Sequence, residues 1–182
     1  MQVKIYNTDP PGVMSTHLGS LDVGDTVEFK HIPFNVKKQY PFGVKRICML
    51  AAGTGITPMI QALHVVLGTK DDNTQVTLMY GSQSRESILA YEILEQWSDQ
   101  CKDQLEVIHV LSREEGSSWT GERGHIRSEL IEKYCPPAEA EVLFFVCGPP
   151  AMYADICGPR GEAAVAGDLK KLGYRDDQVV KF

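Results

Sequence analysis

The most constraining feature of this sequence is an alternation of short apolar runs with helix-patterned stretches, which extends from residue 44 to residue 182. The first run, RICMLAA at 46–52, is almost continuously apolar, as in a strand buried on both faces of a parallel sheet. Further strands are predicted at 75–80, 105–111, 141–147 and 178–182, and helices at 57–67, 87–100, 128–134 and, in parts, 151–172. Strands separated by helices predict an α/β fold with a doubly wound parallel sheet.

The first forty residues follow a different pattern, which predicts β-structure. Alternating residues at 2–6 and 26–30 predict two short strands, one or two helical turns are expected at 14–21, and Val23-Gly24-Asp25 predicts a turn. Because a few short strands cannot bury a core alone, they either pack on the next domain or belong to a larger β-structure. We therefore divide the chain into a segment at 1–42 and a domain at 43–182.

The composition indicates a globular protein and argues against several other classes. Apolar residues make up 43% of the chain, which allows a sizeable core. The net charge of −6 and the pI near 5.4 do not suggest a nucleic-acid-binding surface. The five cysteines have no zinc-ligand spacing and the five histidines are scattered, which predicts no metal site and reduced thiols in a cytosol-like compartment. No signal peptide or membrane span is expected, because glycines and a proline interrupt the longest apolar stretch, 47–67.

The first predicted strand ends in the glycine-bearing turn GTGITP, residues 53–58. Ligands of open parallel sheets bind at the carboxyl ends of the strands, and glycines let the backbone approach a ligand closely. A helix that opens at Thr57 would direct free N–H groups at an anion. The alternative is a tight strand-to-helix turn without a ligand, since two glycines are fewer than the full dinucleotide fingerprint requires.

The fourth predicted strand ends in a second such turn, CGPPAM, residues 147–152. Two prolines stiffen this loop, and a rigid loop at a strand end suits a flat ring that must be held in register. The alternative is a helix start capped by proline, preceded by a cysteine that serves only the core.

The order of GVMS, GTGITPM and CGPPAM along the chain resembles the ferredoxin–NADP reductase superfamily, and within it the NADH–cytochrome b5 reductase and nitrate reductase group. The resemblance extends over essentially the whole chain. It implies a flavin-dependent NAD(P)H oxidoreductase, in which hydride passes from NAD(P)H to FAD and electrons then pass to a haem protein such as a cytochrome b5. It also implies that the segment at 1–42 is part of an antiparallel β-barrel FAD domain.

The resemblance assigns roles to residues of all three motifs. Gly12, Met14 and Ser15 would hold the FAD pyrophosphate; the alternative for Ser15 is a helix N-cap, a role that it could also fill while binding the phosphate. Thr57 would lie near the flavin–nicotinamide contact, and Cys147 would orient the nicotinamide for hydride transfer without acting as a nucleophile. The remaining dinucleotide-binding residues implied by the resemblance are Gly53, Thr54, Gly55, Pro58, Gly81, Gly148, Pro149, Pro150, Met152 and the terminal aromatic Phe182.

The nucleotide preference depends on the end of the third predicted strand, Ser112-Arg113. A Ser-Arg pair at this place resembles the 2′-phosphate site of NADPH-preferring relatives, and guanidinium suits phosphate geometry. Glu114 and Glu115 follow and would repel a phosphate. We therefore expect NADH, with NADPH as the alternative.

The sequence departs from the family pattern in its flavin-binding part. No R-x-Y-[ST] motif precedes Gly12, and residues 31–35 read HIPFN where the family has Gly-Pro-x-Gly. Three explanations follow: a truncated chain, an oligomer that covers the open barrel edge, or a dinucleotide-binding module without flavin-dependent turnover. The expected location is cytoplasmic, or peripheral to a membrane through segments or partners outside this chain.

Overall fold

The computed structural model describes residues 5, 9–30, 37–114 and 118–182. The chain forms two compact units, Met1–Val36 and Lys37–Phe182. The boundary between the two units follows Val36, whereas the sequence predicts a domain boundary after residue 42. The assignment of the two segments as flavin and nucleotide domains stays a prediction.

The described part of the first unit contains one helix, α1 (Val13–Gly19), which confirms the helical turns predicted there. The predicted turn is present too, because the Asp25 N–H donates to the Asp22 oxygen at 3.1 Å. The strand predicted at 26–30 is wrong, since these residues have no regular structure. An alternating pattern makes a strand only where a neighbouring strand accepts its hydrogen bonds, and the described residues of this unit provide none. The strand predicted at 2–6 lies outside the described residues, apart from Ile5.

The second unit is built on one parallel sheet, as the sequence predicts. Its strands are β1 (Arg46–Ala52), β2 (Gln75–Ser82), β3 (Leu105–Leu111), β4 (Glu122–Arg123), β5 (Val142–Cys147) and β6 (Val179–Lys181). Their order is β4-β3-β2-β1-β5-β6, and each neighbouring pair is parallel. The chain therefore moves outward from β1 in one direction through β2 and β3, and then crosses back to add β5 and β6 on the other side.

Helices cover both faces of this sheet. They are α2 (Ile56–Gly68), α3 (Tyr91–Gln100), α4 (Ser128–Tyr134), α5 (Pro150–Ile156) and α6 (Gly167–Lys171). Alternate residues of β1 enter the two cores: Met49 packs in the cluster that includes α2 and α3, and Leu50 packs in the cluster that includes α4, α5 and α6. Both side chains are fully buried. This two-sided burial explains the nearly continuous apolar run and confirms the doubly wound fold.

Two elements of the second unit differ from the sequence prediction. The helix predicted from residue 87 begins at Tyr91, because Ala90 has a left-handed φ of 57° and Ile88 is extended. Ile88 is nevertheless buried, so a loop residue mimicked the helical spacing. The two-residue edge strand β4 was missed, since so short a strand has no periodicity to detect. Every helix in the described ranges is too short or too polar to cross a membrane.

A buried carboxylate joins two of the helices on one face of the sheet. Asp168 of α6 is 1% exposed and accepts hydrogen bonds from Arg127 Nε at 2.8 Å, Lys171 Nζ at 2.9 Å and the Ser128 N–H at 3.2 Å. The Ser128 N–H lies at the start of α4 and has no acceptor within that helix. Asp168 of α6 supplies the acceptor and so caps α4 from a different element. Burial alone would raise the pKa of Asp168, but the bonds from Arg127 and Lys171 outweigh it and lower the pKa below its ordinary value of 3.8.

Asp168→Asn is expected to lower the free energy of unfolding by about 1–3 kcal/mol at pH 7, because Arg127 and Lys171 lose their charged acceptor. A carboxylate whose pKa is lowered by folding stabilises the protein above its unfolded-state pKa and loses that effect as the pH falls through the folded-state pKa. Urea unfolding at several pH values should therefore show a difference that shrinks below about pH 4. Asp155→Asn is the control, since Asp155 is half-exposed and lies 3.4 Å from Arg127. An equal loss in both variants would contradict the assignment.

Candidate functional site

The two motif-bearing turns lie side by side at the carboxyl edge of the sheet. Strands β1 and β5 are neighbours, with Ala51 opposite Cys147, so the turns that follow them begin at the same level. Successive strands are added outward from β1 on one side and outward from β5 on the other, which makes the site the topological switch point of the sheet. Ligands of open α/β sheets bind in this crevice.

Gly55 brings the two turns into direct backbone contact. A Cβ atom placed on Gly55 would lie 2.1 Å from the Cys147 carbonyl oxygen and 2.9 Å from the Gly148 nitrogen. These are main-chain atoms and cannot move aside as a flexible side chain could. Only glycine at position 55 therefore allows the two turns to meet.

The first turn leaves its outer side open. Gly53 has a φ of 54°, and a Cβ atom there would meet nothing within 4 Å. The Tyr80 hydroxyl donates to the Gly53 carbonyl at 2.8 Å and fixes the turn from β2. Thr54 and Thr57 are exposed, and the Thr57 hydroxyl donates to the Thr54 carbonyl at 3.1 Å.

Helix α2 begins immediately after this turn and presents its amino terminus to the crevice. Its N-cap, Gly55, makes no side-chain capping bond, and no acidic residue lies in the first turn. Pro58 is the third residue of the helix, where a missing N–H costs nothing. The first backbone N–H groups, together with the helix dipole, favour an anion here.

The second turn combines a half-buried thiol with a proline-started helix. Burial raises the pKa of Cys147, so the thiol is protonated at neutral pH and is a poor nucleophile. Pro149 is the N-cap of α5 and Pro150 its first residue; both are exposed. Met152 is buried in the core beneath the turn. Gly148 is half-buried between the thiol and the prolines.

Phe182 follows β6 and lies on the same edge. Its ring packs edge-on against Phe145 with centroids 5.2 Å apart, and its N–H donates to the Val146 carbonyl at 3.0 Å. The residue is half-buried. The C-terminal aromatic residue is thus tied to the end of β5, next to Cys147.

The other predicted nucleotide-binding residues lie at the ends of β2 and β3. The Ser112 N–H donates to the Ser82 carbonyl at 3.0 Å and the Arg113 N–H to the Gln83 carbonyl at 2.8 Å. Gly81 is half-buried and Arg113 is exposed. These residues lie on the far side of β1 from Cys147, so the site has two separate ends.

The charges around Arg113 differ from what the sequence suggests. The Glu114 carboxylate accepts from the Arg85 N–H at 3.3 Å, and the Arg123 guanidinium binds the Glu114 main-chain oxygen. Arg85 also lies over the Tyr91 ring at 5.7 Å. The main-chain N–H of Arg85 and the guanidinium of Arg123 thus hold Glu114 at the end of β3, while Glu115 lies outside the described residues.

The predicted flavin-binding residues belong to the first unit. Gly12 is the N-cap of α1, and the Ser15 hydroxyl donates to its carbonyl at 3.0 Å. Ser15 is therefore inside the helix, and the alternative that it caps the helix is wrong. Met14 is 67% exposed.

Tyr80 bonds to the main chain of the first turn and Tyr153 to the end of the strand before the second turn, and neither contact was predicted. The sequence gives no signal for them, since a tyrosine at a strand end or within an apolar helix face reads as core. Among the residues that the structure describes, no three His, Cys, Asp or Glu side chains are grouped to hold a metal ion.

The sequence model of the family described as "Oxidoreductase NAD-binding domain" matches residues 49–158, which is more than half of the chain. The chain belongs to this family. The matched region begins within β1, ends just after α5, and includes both motif-bearing turns. The family assignment thus agrees with the position of the crevice.

Curated relatives of this family member are reductases. The chain is 38% identical over 188 residues to NADH-cytochrome b5 reductase 2 of Aspergillus terreus, and covers 56% of that protein. It is 36% identical to the protein of the same name from Scheffersomyces stipitis, of which it covers 58%. The alignments include 99% and 94% of this chain. The chain therefore spans little more than half the length of these relatives.

Solved structures of reductases have a fold similar to that of this chain. The cytochrome b5 reductase domain of Ulva prolifera nitrate reductase superposes with a TM-score of 0.78 at 27% identity, over 99% of this chain and 71% of that one. Ferredoxin-NADP+ reductase from Plasmodium falciparum superposes with a TM-score of 0.59 at 19% identity, over 84% and 63% of the two chains. The second match shows a shared fold alone.

Gly55→Ala is expected to lower the free energy of unfolding by about 1–3 kcal/mol or more, because the new methyl group overlaps main-chain atoms of the second turn. Gly68→Ala is the matched control, since Gly68 ends the same helix and a Cβ there meets nothing within 4 Å. The control should be neutral or slightly stabilising. Urea unfolding compares the two, and equal stability of both variants would show that the turns do not touch.

Proposed function

We propose that this chain is the nucleotide-binding part of a flavin-dependent NAD(P)H oxidoreductase of the cytochrome b5 reductase type. The observation that carries the proposal is the backbone contact of Gly55 with Cys147, which joins the two motif-bearing turns at the switch point. A helix start without a side-chain cap or an acidic residue and a rigid proline-bearing turn then face one crevice. A dinucleotide needs both, one for its pyrophosphate and one for its nicotinamide ring.

The first turn suits the pyrophosphate. Gly53 and Thr54 are exposed, and the uncapped start of α2 lies directly behind them. Backbone N–H groups would bind the phosphate oxygens, with Gly55 and Pro58 fixing how the helix begins. Thr57 would lie between this turn and the flavin, with its hydroxyl oriented by the Thr54 carbonyl.

The second turn suits the nicotinamide ring. Cys147 and Gly148 would contact the ring, and Pro149, Pro150 and Met152 would shape the wall beside it. Because burial raises the pKa of Cys147, the thiol would act as a neutral packing and hydrogen-bonding group. Its contribution is to hold the ring in the geometry that hydride transfer requires.

The flavin would be held by residues of the first unit. Gly12 starts α1 without a side-chain cap or an acidic residue in the first turn, which suits a phosphate, and Met14 and Ser15 follow it. FAD, when bound, accepts a hydride and releases electrons singly. The protein supplies binding, orientation and exclusion of water for that exchange.

A second candidate is a dinucleotide-binding module without flavin-dependent turnover. The observation that favours it is coverage, since the chain spans only 56% of the Aspergillus terreus relative. Under this alternative the nucleotide site is intact but no hydride acceptor is held beside it.

The proposed electron acceptor is a haem protein such as a cytochrome b5, which the name of the relatives includes.

The proposed location is a reducing, cytosol-like compartment. All five cysteines are free thiols, as is usual for proteins of such a compartment.

The function is tested by adding FAD to the purified chain and measuring NADH-dependent reduction of ferricyanide. We expect turnover in the wild type and a rate lower by about tenfold to a hundredfold in Cys147→Ala, because the ring loses a positioning contact. Cys101→Ala is the matched control, a half-buried cysteine at the end of α3, and should match the wild type.

The outcomes separate the two candidates. Nucleotide binding without FAD uptake or turnover would support the binding module and contradict the reductase. Turnover that is equal in the wild type and in Cys147→Ala would retain the reductase but remove Cys147 from the site.

The preference for NADH over NADPH is tested at Arg113. We propose NADH as the substrate, with any NADPH binding dependent on Arg113, which is exposed at the end of β3. Arg113→Ala should weaken NADPH binding by about tenfold and leave NADH binding unchanged. Arg175→Ala, at an exposed arginine paired with Asp177, is the control. NADPH affinity that is insensitive to Arg113→Ala would disprove the 2′-phosphate role.

A further inference from the structure

Tyr153 places a hydroxyl group at the junction of the two strands that end beside Cys147. The residue belongs to α5 and is 5% exposed. Its hydroxyl oxygen lies 2.5 Å from the main-chain oxygen of Phe182 and 3.2 Å from the carbonyl oxygen of Val146. Both oxygens can accept its proton. The hydroxyl thus joins the residue before Cys147 to the residue after β6.

The same hydroxyl also contacts the turn that follows β5. Burial and the nearby Cys147 thiol raise the pKa of Tyr153, and the Gly148 N–H lowers it, so both residues lie close enough to influence the hydroxyl. Val146, Cys147 and Gly148 are consecutive, so a hydroxyl bonded to the Val146 carbonyl lies at the point where the strand passes into the turn.

The position of these bonds explains why a hydroxyl is needed there. The pairing of β5 with β6 ends at Val146 and Lys181. Beyond this pair, the Phe182 N–H donates to the Val146 carbonyl at 3.0 Å. The Tyr153 hydroxyl then lies between the main-chain oxygens of Val146 and Phe182. Phenylalanine would fill the same apolar space beside Met152 and Ile156. Burying a hydroxyl is unfavourable unless it is bonded, so its bonds to Val146 and Phe182 distinguish tyrosine from an ordinary core residue.

We propose that Tyr153 is a positioning residue for the nicotinamide end of the site, acting through the main chain of Val146–Gly148 and through Phe182. The proposal rests on the proposed function, because it requires that Cys147 and Gly148 contact the nicotinamide. Tyr153 itself would not touch the nucleotide. Its loss should let the second turn and Phe182 shift relative to the first turn.

The sheet order makes the effect specific to one end of the nucleotide. Tyr153 acts on β5 and β6, whereas Ser112 and Arg113 lie at the end of β3 on the other side of β1. A change at Tyr153 should therefore weaken contacts to nicotinamide and leave contacts to adenosine unchanged. NAD+ and ADP-ribose differ by the nicotinamide ring, so the ratio of their dissociation constants measures that end.

The test is calorimetric titration of the full chain with NAD+ and with ADP-ribose. Tyr153→Phe keeps the ring and removes the hydroxyl. It should reduce the preference for NAD+ over ADP-ribose by about threefold to tenfold, the effect of a hydrogen-bonded contact. The matched control is Tyr174→Phe. Tyr174 is 3% exposed and its hydroxyl donates to the Pro136 carbonyl at 2.6 Å, remote from the turn.

Amide hydrogen exchange gives a readout that needs no nucleotide or flavin. In Tyr153→Phe, peptides that contain Gly148 and Phe182 should exchange several-fold faster, because the Val146 and Phe182 main-chain oxygens lose the hydroxyl that joins them and the segments that follow are held less firmly. Tyr174→Phe should leave those peptides unchanged. Unchanged exchange in Tyr153→Phe would show that the hydroxyl does not hold the turn.

The outcomes distinguish failure of this proposal from failure of the proposed function. If the wild type binds neither NAD+ nor ADP-ribose, the proposed function is wrong, and with it the positioning role. If the wild type binds both and Tyr153→Phe keeps the wild-type ratio, only the positioning role is wrong. An equal fall in affinity for both ligands would indicate a general structural role and would also overturn the proposal.

Discussion

The site depends on one steric constraint, the contact of Gly55 with the main chain of Cys147 and Gly148. Parallel pairing of β1 with β5 sets the level at which the two turns leave the sheet, and absence of a side chain at position 55 sets how closely they approach. Neither condition is sufficient alone. A larger residue would separate the turns even if the strands kept their register, and a shift in register would misalign them even with glycine present.

The sheet order places two different groups of residues on the two sides of β1. Residues that follow β2 and β3 are linked by main-chain bonds between Ser82 and Ser112, and carry the arginines. Residues that follow β5 and β6 are linked through Val146, Phe182 and Tyr153, and carry the thiol and the prolines. Strand β1 lies between them and contributes the glycine turn. Under the proposed function, charge recognition and ring positioning would therefore depend on separate pairs of strands, and a mutation would be able to affect one without the other.

The fold was predictable where burial produces a periodic pattern of apolar residues. It was not predictable where a single tertiary contact determines the local structure. Strand β1 and helix α4 could be read from the sequence, because two-sided burial and helical spacing each leave a pattern in the residues. The start of α3 could not, since Ile88 reaches the core from a loop and imitates helical spacing. The strand predicted at 26–30 shows the converse, because these alternating residues have no partner strand within the described part of their unit and form no regular structure. Tyr153 was missed for a related reason: its sequence neighbours give no sign of which main-chain oxygens its hydroxyl meets.

The two units differ in how far they bury their apolar side chains, and this difference determines which measurements report on each unit. Helix α1 buries none of its residues, and Val13, Val23 and Phe29 are each at least 75% exposed. The unit Lys37–Phe182 has instead two buried clusters, one on each face of its sheet. Its crevice is therefore held by its own core. Under the proposed function, binding of nicotinamide and adenosine fragments would depend on contacts within that unit, whereas turnover would also require the flavin that we propose the first unit binds. A loss of turnover with retained fragment binding would thus locate the defect in flavin binding and leave the nucleotide site intact.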